Sequence, residues 1–264
     1  MKFAVVTPTY NASRHLAPTV ESIISQDGLQ VGRHTLEYVI RDGASTDRTV
    51  SIARRFESLG VSVYSEPDNG MYDALHRGLS QVEGAVYFYL NAGDLLQPNA
   101  FNLVAEAVSR GANWLTGMDV YYDNAGNIVN ARRPLRYRRK YLRKCYYGRT
   151  LLPAVQQEST FWTADLMRLV DLQELSTYRL AGDAFLWHTF AHSADLAIVD
   201  YALAGFKYHG EHLSSQATVY AAECERFAGK IGWSDRALAL AERTLWDLPP
   251  RFTDRQARSG RLPN

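Results

Sequence analysis

Four clusters of acids, amides and hydroxyls fall within the first hundred residues: Thr7-Pro8-Thr9-Tyr10-Asn11, Arg41-Asp42-Gly43-Ala44-Ser45-Thr46-Asp47, Glu66-Pro67-Asp68-Asn69-Gly70 and Asn91-Ala92-Gly93-Asp94. So many carboxylates repel a diphosphate unless a divalent cation lies between them. Mg²⁺ and Mn²⁺ are held through one or two carboxylates together with phosphate oxygens. The chemistry these residue types suit is a metal-bound nucleotide diphosphate. No Gly-x-Gly-x-x-Gly follows the first apolar run, which argues against a nicotinamide or flavin dinucleotide, and no phosphate loop ending in Gly-Lys-Ser/Thr is present. Helix capping is the plainer alternative for single clusters: Ser45, Thr46 or Asp47 could cap one helix, Asn69 another, and Pro98 fits a helix start. Capping accounts for one or two clusters better than for all four.

These clusters need a frame that brings them together. Phe3-Ala4-Val5-Val6 is a short apolar run ended by Pro8, the pattern of a strand buried on both faces. The spacing of Leu16, Val20, Ile23 and Ile24 predicts a helix over 16–25. Residues 36–40, 61–64 and 85–90 read as further strands, with helices over 47–59 and 71–80 between them. This βαβαβαβ order predicts an α/β fold with a Rossmann-like, mostly parallel sheet flanked by helices. Ligands of such sheets bind beyond the carboxyl ends of the strands, and each cluster follows one predicted strand.

Past residue 111 the regularity weakens. Residues 113–122 look like one strand, Asp123-Asn124-Ala125-Gly126 a turn into the next, and helices are predicted over 217–230 and 234–246. Residues 249–264 are polar and read as a frayed tail. The expected organisation is one domain over 1–215, with a nucleotide-binding half (1–111) and a second half (112–215), followed by a C-terminal helical elaboration over 216–264.

The chain has 264 residues, 46% hydrophobic and 22% charged, which is ordinary globular usage. No apolar run reaches the roughly 18 residues of a membrane span, and the apolar part of the first residues is too short for a signal peptide. Cys145 and Cys224 alone cannot build a disulfide framework or a zinc site. A soluble, cytoplasmic protein is the expectation. The net charge of +1 hides an asymmetry: residues 132–149 hold nine basic residues and no acid, leaving 20 basic against 28 acidic elsewhere.

Taken in order, Pro8-Thr9-Tyr10-Asn11, Asp42-Gly43-Ala44-Ser45-Thr46-Asp47-Arg48-Thr49, Glu66-Pro67-Asp68-Asn69-Gly70-Met71-Tyr72-Asp73-Ala74 and Leu90-Asn91-Ala92-Gly93-Asp94 resemble the family 2 glycosyltransferases of the GT-A fold, in their bacterial surface-polysaccharide branch. The resemblance is close over 3–100 and loose to about 214. It implies that Pro8, Thr9, Tyr10 and Asn11 contact the nucleoside and that Asp42 reads the base edge. Asp68, Asn69 and Asp73 then lie beside the ribose and donor sugar, and Asn91 and Ala92 continue the donor site. Asn91 to Asp94 stands where the family has its Asp-x-Asp metal motif. Here Asn91 and Gly93 replace acids that many relatives carry, so Asp94 is the expected ligand of Mn²⁺ or Mg²⁺.

The resemblance also implies an acid at the start of a later helix, and Leu180-Ala181-Gly182-Asp183-Ala184 fits. Asp183 is the expected catalytic base, taking the proton of the acceptor hydroxyl in an inverting transfer. Its alternative is a helix N-cap, and Asp165 is its rival. Gln157, with Gln156 where relatives often have histidine, is the expected acceptor or sugar contact, together with Trp162; a core strand is the other reading. His209 and His212, flanking Gly210-Glu211, are further candidates for the metal or diphosphate. The basic stretch, interleaved with Tyr137, Tyr141, Tyr146 and Tyr147, admits an anionic membrane surface or lipid diphosphate, a solvated face, or nucleic acid. An enzyme extending a lipid-linked glycan works at a membrane, which favours the first and leaves nucleic acid out. The expected donor is a nucleotide sugar, UDP favoured, and the acceptor a lipid-linked or soluble glycan. A catalytically degenerate nucleotide-binding or polysaccharide-assembly protein is the alternative.

Overall fold

A computed structural model describes residues 1–123, 127–207 and 216–246. The first half runs β1 (Lys2–Thr9), α1 (Leu16–Ile24), α2 (Asp27–Gln30), β2 (Thr35–Asp42), α3 (Thr49–Arg54), β3 (Val61–Ser65), α4 (Met71–Leu79), β4 (Val86–Tyr89), β5 (Leu95–Leu96) and α5 (Ala100–Ser109). Then follow β6 (Trp114–Thr116), β7 (Asp119–Tyr122), β8 (Ile128–Arg132), α6 (Arg139–Leu142), β9 (Thr160–Thr163), α7 (Ala164–Met167), α8 (Leu172–Leu175), α9 (Gly182–Phe190), β10 (Ala197–Ile198), β11 (Ala204–Lys207), α10 (Ala217–Ala228) and α11 (Trp233–Trp246).

The main sheet has the order β10-β6-β9-β4-β1-β2-β3, and β9 alone runs against its neighbours. A second sheet has the order β5-β11-β7-β8. The predicted mostly parallel α/β frame is therefore present. β1 sits between β4 and β2 and is buried from Phe3 to Thr9, which explains its unbroken apolar run. Contrary to the sequence reading, β1 does not end at Pro8. Pairing with β2 continues to Thr9 opposite Asp42. The missing N–H of Pro8 faces the β4 side, where pairing stops at Val6 and Leu90 N donates to Val6 O at 3.1 Å. No ladder bond is lost.

Two other expectations change. The helix predicted over 47–59 breaks into α3 and a 3₁₀ turn at Glu57–Leu59, closed by Gly60 at φ 86°. Between them Phe56 turns into the core. The single strand predicted over 113–122 is two: Trp114 and Leu115 pair with β9, whereas Asp119–Tyr122 pair with β8 and β11. The break at Gly117-Met118 is held by Met118 N donating to Tyr201 O at 2.9 Å. Residues 124–126 of the predicted turn and the tail over 249–264 lie outside the described residues.

The basic stretch is reassigned. Its tyrosines, expected at an interface, are buried: Tyr137 and Tyr147 pack on Trp246 and on each other, and Tyr141 packs on Tyr146 and Tyr147. Its cations find the acids missing from their own segment on the C-terminal helices. Glu242 of α11 is buried and accepts from Arg136 Nε at 2.8 Å and Arg138 Nε at 2.9 Å. Asp235 pairs with Lys144 at 3.4 Å and accepts the Tyr146 hydroxyl. Arg149 reaches Gly229 O at 3.2 Å, and Arg133 pairs with Asp200. The patch that looked like a free surface is largely the seat of α10 and α11; Lys140, Arg143 and Lys144 remain exposed. Cys145 and Cys224 are buried thiols in one small cluster. Among the described residues no helix is long and apolar enough to cross a membrane.

Candidate active site

The carboxyl ends of β1, β2 and β4 open onto a cleft of about 810 Å³. The sheet topology explains why: β4 stops short of β1, so the segment from Pro8 to Tyr10 has no neighbour on that side and becomes wall. Of the predicted residues, Pro8, Thr9, Tyr10, Asp68, Asn91, Ala92, Asp94, Gln157 and Asp183 line this one space. They come from positions as far apart as 8 and 183. Tyr10 is 64% exposed, whereas Thr9 is buried and its Oγ1 has no hydrogen-bond partner among the described residues.

The other predicted residues are close by but hold loops. Asn11, at φ 47°, donates from its N–H to Ser45 Oγ at 2.8 Å and accepts from Thr46 N at 2.9 Å, joining the first two loops. Asp42, expected to read a base edge, is buried and already accepts from Ser45 N at 2.9 Å, from Ser45 Oγ and from Ser65 Oγ at 2.7 Å. Asp73 accepts from Asn69 N at 3.0 Å and Arg77 Nη2 at 2.9 Å. Burial alone would raise its pKa, but those hydrogen bonds bring it below the ordinary carboxylate value. Asn11, Asp42, Asn69, Asp73 and Trp162 all lie outside the cleft wall. Trp162 is the clearest correction. It is 1% exposed inside β9, packs on Trp187 and Phe190, and donates Nε1–H to Met167 Sδ at 3.4 Å. The core reading wins because β9 lies between β4 and β6 with both faces covered.

Gln157 belongs to both readings. Its Nε2 donates to Tyr89 O at 2.8 Å and its Oε1 accepts from Asn91 Nδ2 at 3.3 Å, so this buried amide holds Asn91 at the wall. Gln156 is structural, exchanging two bonds of 2.8 Å with the Val120 backbone. Asp165 is 74% exposed on α7 beside Arg168, away from the cleft, and drops out as a rival base. His209 and His212 lie outside the described residues.

Asp94 is buried on a turn fixed by Thr19, whose Oγ1 donates to Asp94 O at 2.9 Å and accepts from Gly93 N at 2.8 Å. Beside it stands an acid that sequence reasoning missed. Glu158, in the 3₁₀ turn Gln157–Ser159, is buried and lines the same cleft. Burial first, and then the negative charge of Asp94, hold its carboxyl well above the ordinary range. Its Oε1, like Asn91 Oδ1, has no hydrogen-bond partner among the described residues. The available signal was an acid three positions ahead of the aromatic pair Phe161-Trp162.

Asp183 sits in the first turn of α9. Burial pushes its pKa up to about 6, against hydrogen bonds from Ala184 N at 2.7 Å and from its surroundings that favour the charged form. Tyr72, also missed from sequence, adjoins it and lines the cleft. Gly43, not singled out from sequence, stands against the predicted Asp68 of another loop: a Cβ on Gly43 would lie 2.8 Å from Asp68 Oδ2. A larger residue at Gly43 would have to displace the Asp68 carboxylate from this position. The site thus sets a poised carboxylate (Asp183) and a compact acidic corner (Asp94 with Glu158) along one open cleft.

The sequence model of Glycosyl transferase family 2 matches residues 4–161. A PGL/p-HBAD biosynthesis glycosyltransferase of Mycobacterium bovis is 34% identical over 97 residues, which cover 36% of each chain. An uncharacterized glycosyltransferase of Mycobacterium tuberculosis is 26% identical over 185 residues, 68% of this chain and 65% of that one. The matched part spans about a third of the first of these relatives. In structure, Staphylococcus aureus TarS 1-349 in complex with UDP-GlcNAc superposes with a TM-score of 0.62 at 17% identity, covering 92% of this chain and 71% of that chain. That likeness fixes the fold as GT-A, and the span of the family match shows that the chain belongs to glycosyl transferase family 2.

Proposed function

We propose that the protein is an inverting glycosyltransferase, moving a sugar from a nucleotide-diphosphate donor to a glycan hydroxyl in bacterial surface-polysaccharide synthesis such as O-antigen, capsule or exopolysaccharide. The observation that carries this is Asp183: a half-buried carboxylate whose pKa is pushed up to about 6, in the wall of the cleft that holds the donor loops. At neutral pH it is ionised yet basic enough to accept a hydroxyl proton as the oxygen attacks the anomeric carbon. One base suffices for a single displacement, and a single displacement inverts. The names of the relatives, PGL/p-HBAD biosynthesis in one case and poly(ribitol-phosphate) beta-N-acetylglucosaminyl transfer in another, support the substrate class.

Donor binding follows from the wall. Tyr10 offers an exposed ring on which a base can stack, worth roughly 1–3 kcal/mol, and Thr9 Oγ1 offers an unused polar atom. UDP is the favoured nucleotide, since TarS structures were solved with UDP-GlcNAc and with UDP. The acidic corner fits Mn²⁺ or Mg²⁺. Two crowded carboxylates and the unpartnered oxygens Glu158 Oε1 and Asn91 Oδ1 are what a hard divalent cation satisfies. Bound there, the metal would supply charge stabilisation for the departing diphosphate. Among the described residues no three His, Cys, Asp or Glu side chains form a ready-made metal site, so Asp94 and Glu158 need donor phosphate oxygens to complete it.

The membrane reading narrows to Lys140, Arg143 and Lys144. At roughly 1 kcal/mol each near an anionic leaflet, three cations give weak, salt-sensitive attachment, and a lipid-linked acceptor would add the rest. Flotation with vesicles containing anionic lipid should be lost when these three become Gln.

Calorimetric titration with UDP, GDP and dTDP, each with and without Mn²⁺, tests the whole reading. Micromolar binding of one nucleotide, strengthened by Mn²⁺ and lost in Asp94→Ala, is expected. Absence of binding by all three would replace the transferase with a degenerate relative.

A further inference from the structure

Two side chains from outside α9 hold the backbone that leads into Asp183. From the cleft side, Tyr72 Oη donates to Leu180 O at 3.3 Å and accepts from Asp183 N at 3.1 Å. From outside the cleft wall, Glu223 of α10 accepts three successive backbone N–H groups: Arg179 N at 2.8 Å, Leu180 N at 2.9 Å and Ala181 N at 2.8 Å. Three amides converging on one carboxylate form an anion nest of charge-assisted bonds. These residues precede the helix, so no helical turn behind them supplies acceptors. Ala181 is wholly buried, so water cannot stand in.

We propose that Glu223 is a positioning residue for transfer: by fixing the 179–181 turn it sets where the Asp183 carboxylate stands in the cleft, which makes the C-terminal helix α10 part of the catalytic apparatus. The proposal rests on the reading of Asp183 as the base. Glu223 itself lies outside the cleft wall. Its charge acts in a second way, since it favours the protonated form of Asp183 and so makes that carboxylate a stronger base. A purely structural brace between α10 and the body is a different role, and α10 already has braces. Glu225 pairs with Arg149 at 3.8 Å, and Arg226 Nη2 donates to Thr177 Oγ1 at 2.7 Å. Loss of Glu223 therefore frees the turn without freeing the helix.

The test uses the full chain carrying Glu223→Gln, with Glu225→Gln as control, and nucleotide release from a panel of UDP-, GDP- and dTDP-hexoses as the kinetic readout. In Glu223→Gln, kcat should fall about 10- to 100-fold, the range expected for a small misplacement of a reacting group. The donor KM should stay within about twofold, and the acidic limb of the kcat profile should move to lower pH. Amide hydrogen exchange of 179–185 should quicken by roughly tenfold or more while α10 stays protected. Glu225→Gln should do none of this. Unchanged exchange over 179–185, unchanged kcat, or an equal loss in Glu225→Gln overturns the proposal. If Glu223→Gln fails to fold, Glu223→Asp keeps the charge with a shorter reach: reduced kcat with the acidic limb in place supports positioning, and wild-type kcat removes it. Asp183→Asn separates this proposal from the reading beneath it. Normal turnover there ends the base assignment, whereas inactive Asp183→Asn beside normal Glu223→Gln ends only the role of Glu223.

Discussion

Tyr72 and Asp183 are joined across 111 positions of sequence: the Asp183 N–H donates to Tyr72 Oη at 3.1 Å, and the ring of Tyr72 lies flat against Gly182. A Cβ on Gly182 would stand 2.3 Å from Tyr72 Cδ1. Tyr72 belongs to α4, whose start follows the Asp68-Asn69-Gly70 cluster, so one buried side chain connects the donor loops to the candidate base. The second half of the chain is thereby registered on the first by a contact that neither half shows alone.

Substitutions at this contact should separate packing from hydrogen bonding. Tyr72→Phe keeps the ring but strands the Asp183 N–H and Leu180 C=O, which should cost about 1–3 kcal/mol of stability and lower kcat. Gly182→Ala should cost more, because the Tyr72 ring is itself buried and cannot retreat. Denaturant unfolding of both variants gives the order; a more stable Gly182→Ala would show that the ring can move.

Asp183→Asn should nearly abolish transfer while leaving nucleotide affinity within about twofold by calorimetry, since Asn accepts from Ala184 N as Asp does but takes no proton. In the native protein kcat should rise with pH through about 6, where Asp183 loses its proton. The same shift has a stability sign. Because the folded pKa of about 6 exceeds the ordinary 3.8, native stability falls as pH rises across that interval. Asp183→Asn should therefore be the more stable protein at pH 8, and the gap should close toward pH 4.

Much of the frame was legible in the sequence because it is local. Short apolar runs, helical spacing and polar clusters at strand ends each reside within ten residues, and together they identify the parallel sheet and the cleft at its rim. What escaped depends on distant partners. Glu158 reads as one more polar residue until its turn is laid beside Asp94, and Glu223 reads as a helix-surface acid until three backbone amides meet it. Trp162 was misread for the converse reason, since an aromatic near a polar motif looks the same whether it faces a sugar or Trp187. The basic stretch was legible as unbalanced charge, but its counter-charges lie about a hundred residues later in α11.

Glu158 and Asp94 give a metal test independent of turnover. Glu158 is held above its ordinary 4.5, so without metal the native protein loses stability as pH rises past that value. Glu158→Gln should accordingly melt higher than the native protein at pH 8 and equally near pH 4. Mn²⁺ with UDP should raise the native melting temperature, by linkage to the folded state, and raise that of Glu158→Gln much less. An equal rise in both would place the cation away from Glu158.

Glu242 should behave in the opposite sense. Burial alone would raise its pKa, but the hydrogen bonds of Arg136 and Arg138 outweigh burial and hold it below the ordinary 4.5. Its stabilisation is therefore present above pH 4.5 and lost as pH falls through the lower folded value. Glu242→Ala leaves two guanidinium groups facing a buried gap. A fully buried pair broken this way costs about 3–5 kcal/mol, and since Arg138 is 36% exposed the expected loss is nearer 2 kcal/mol. The damage should concentrate in α11, seen as faster proteolysis over 230–246, with kcat changed less than in Glu223→Gln because Glu242 bonds nothing that leads into Asp183. A kcat loss as large as that of Glu223→Gln would mean that α11 reaches the base through α10, and that the two C-terminal helices act on the cleft as one piece.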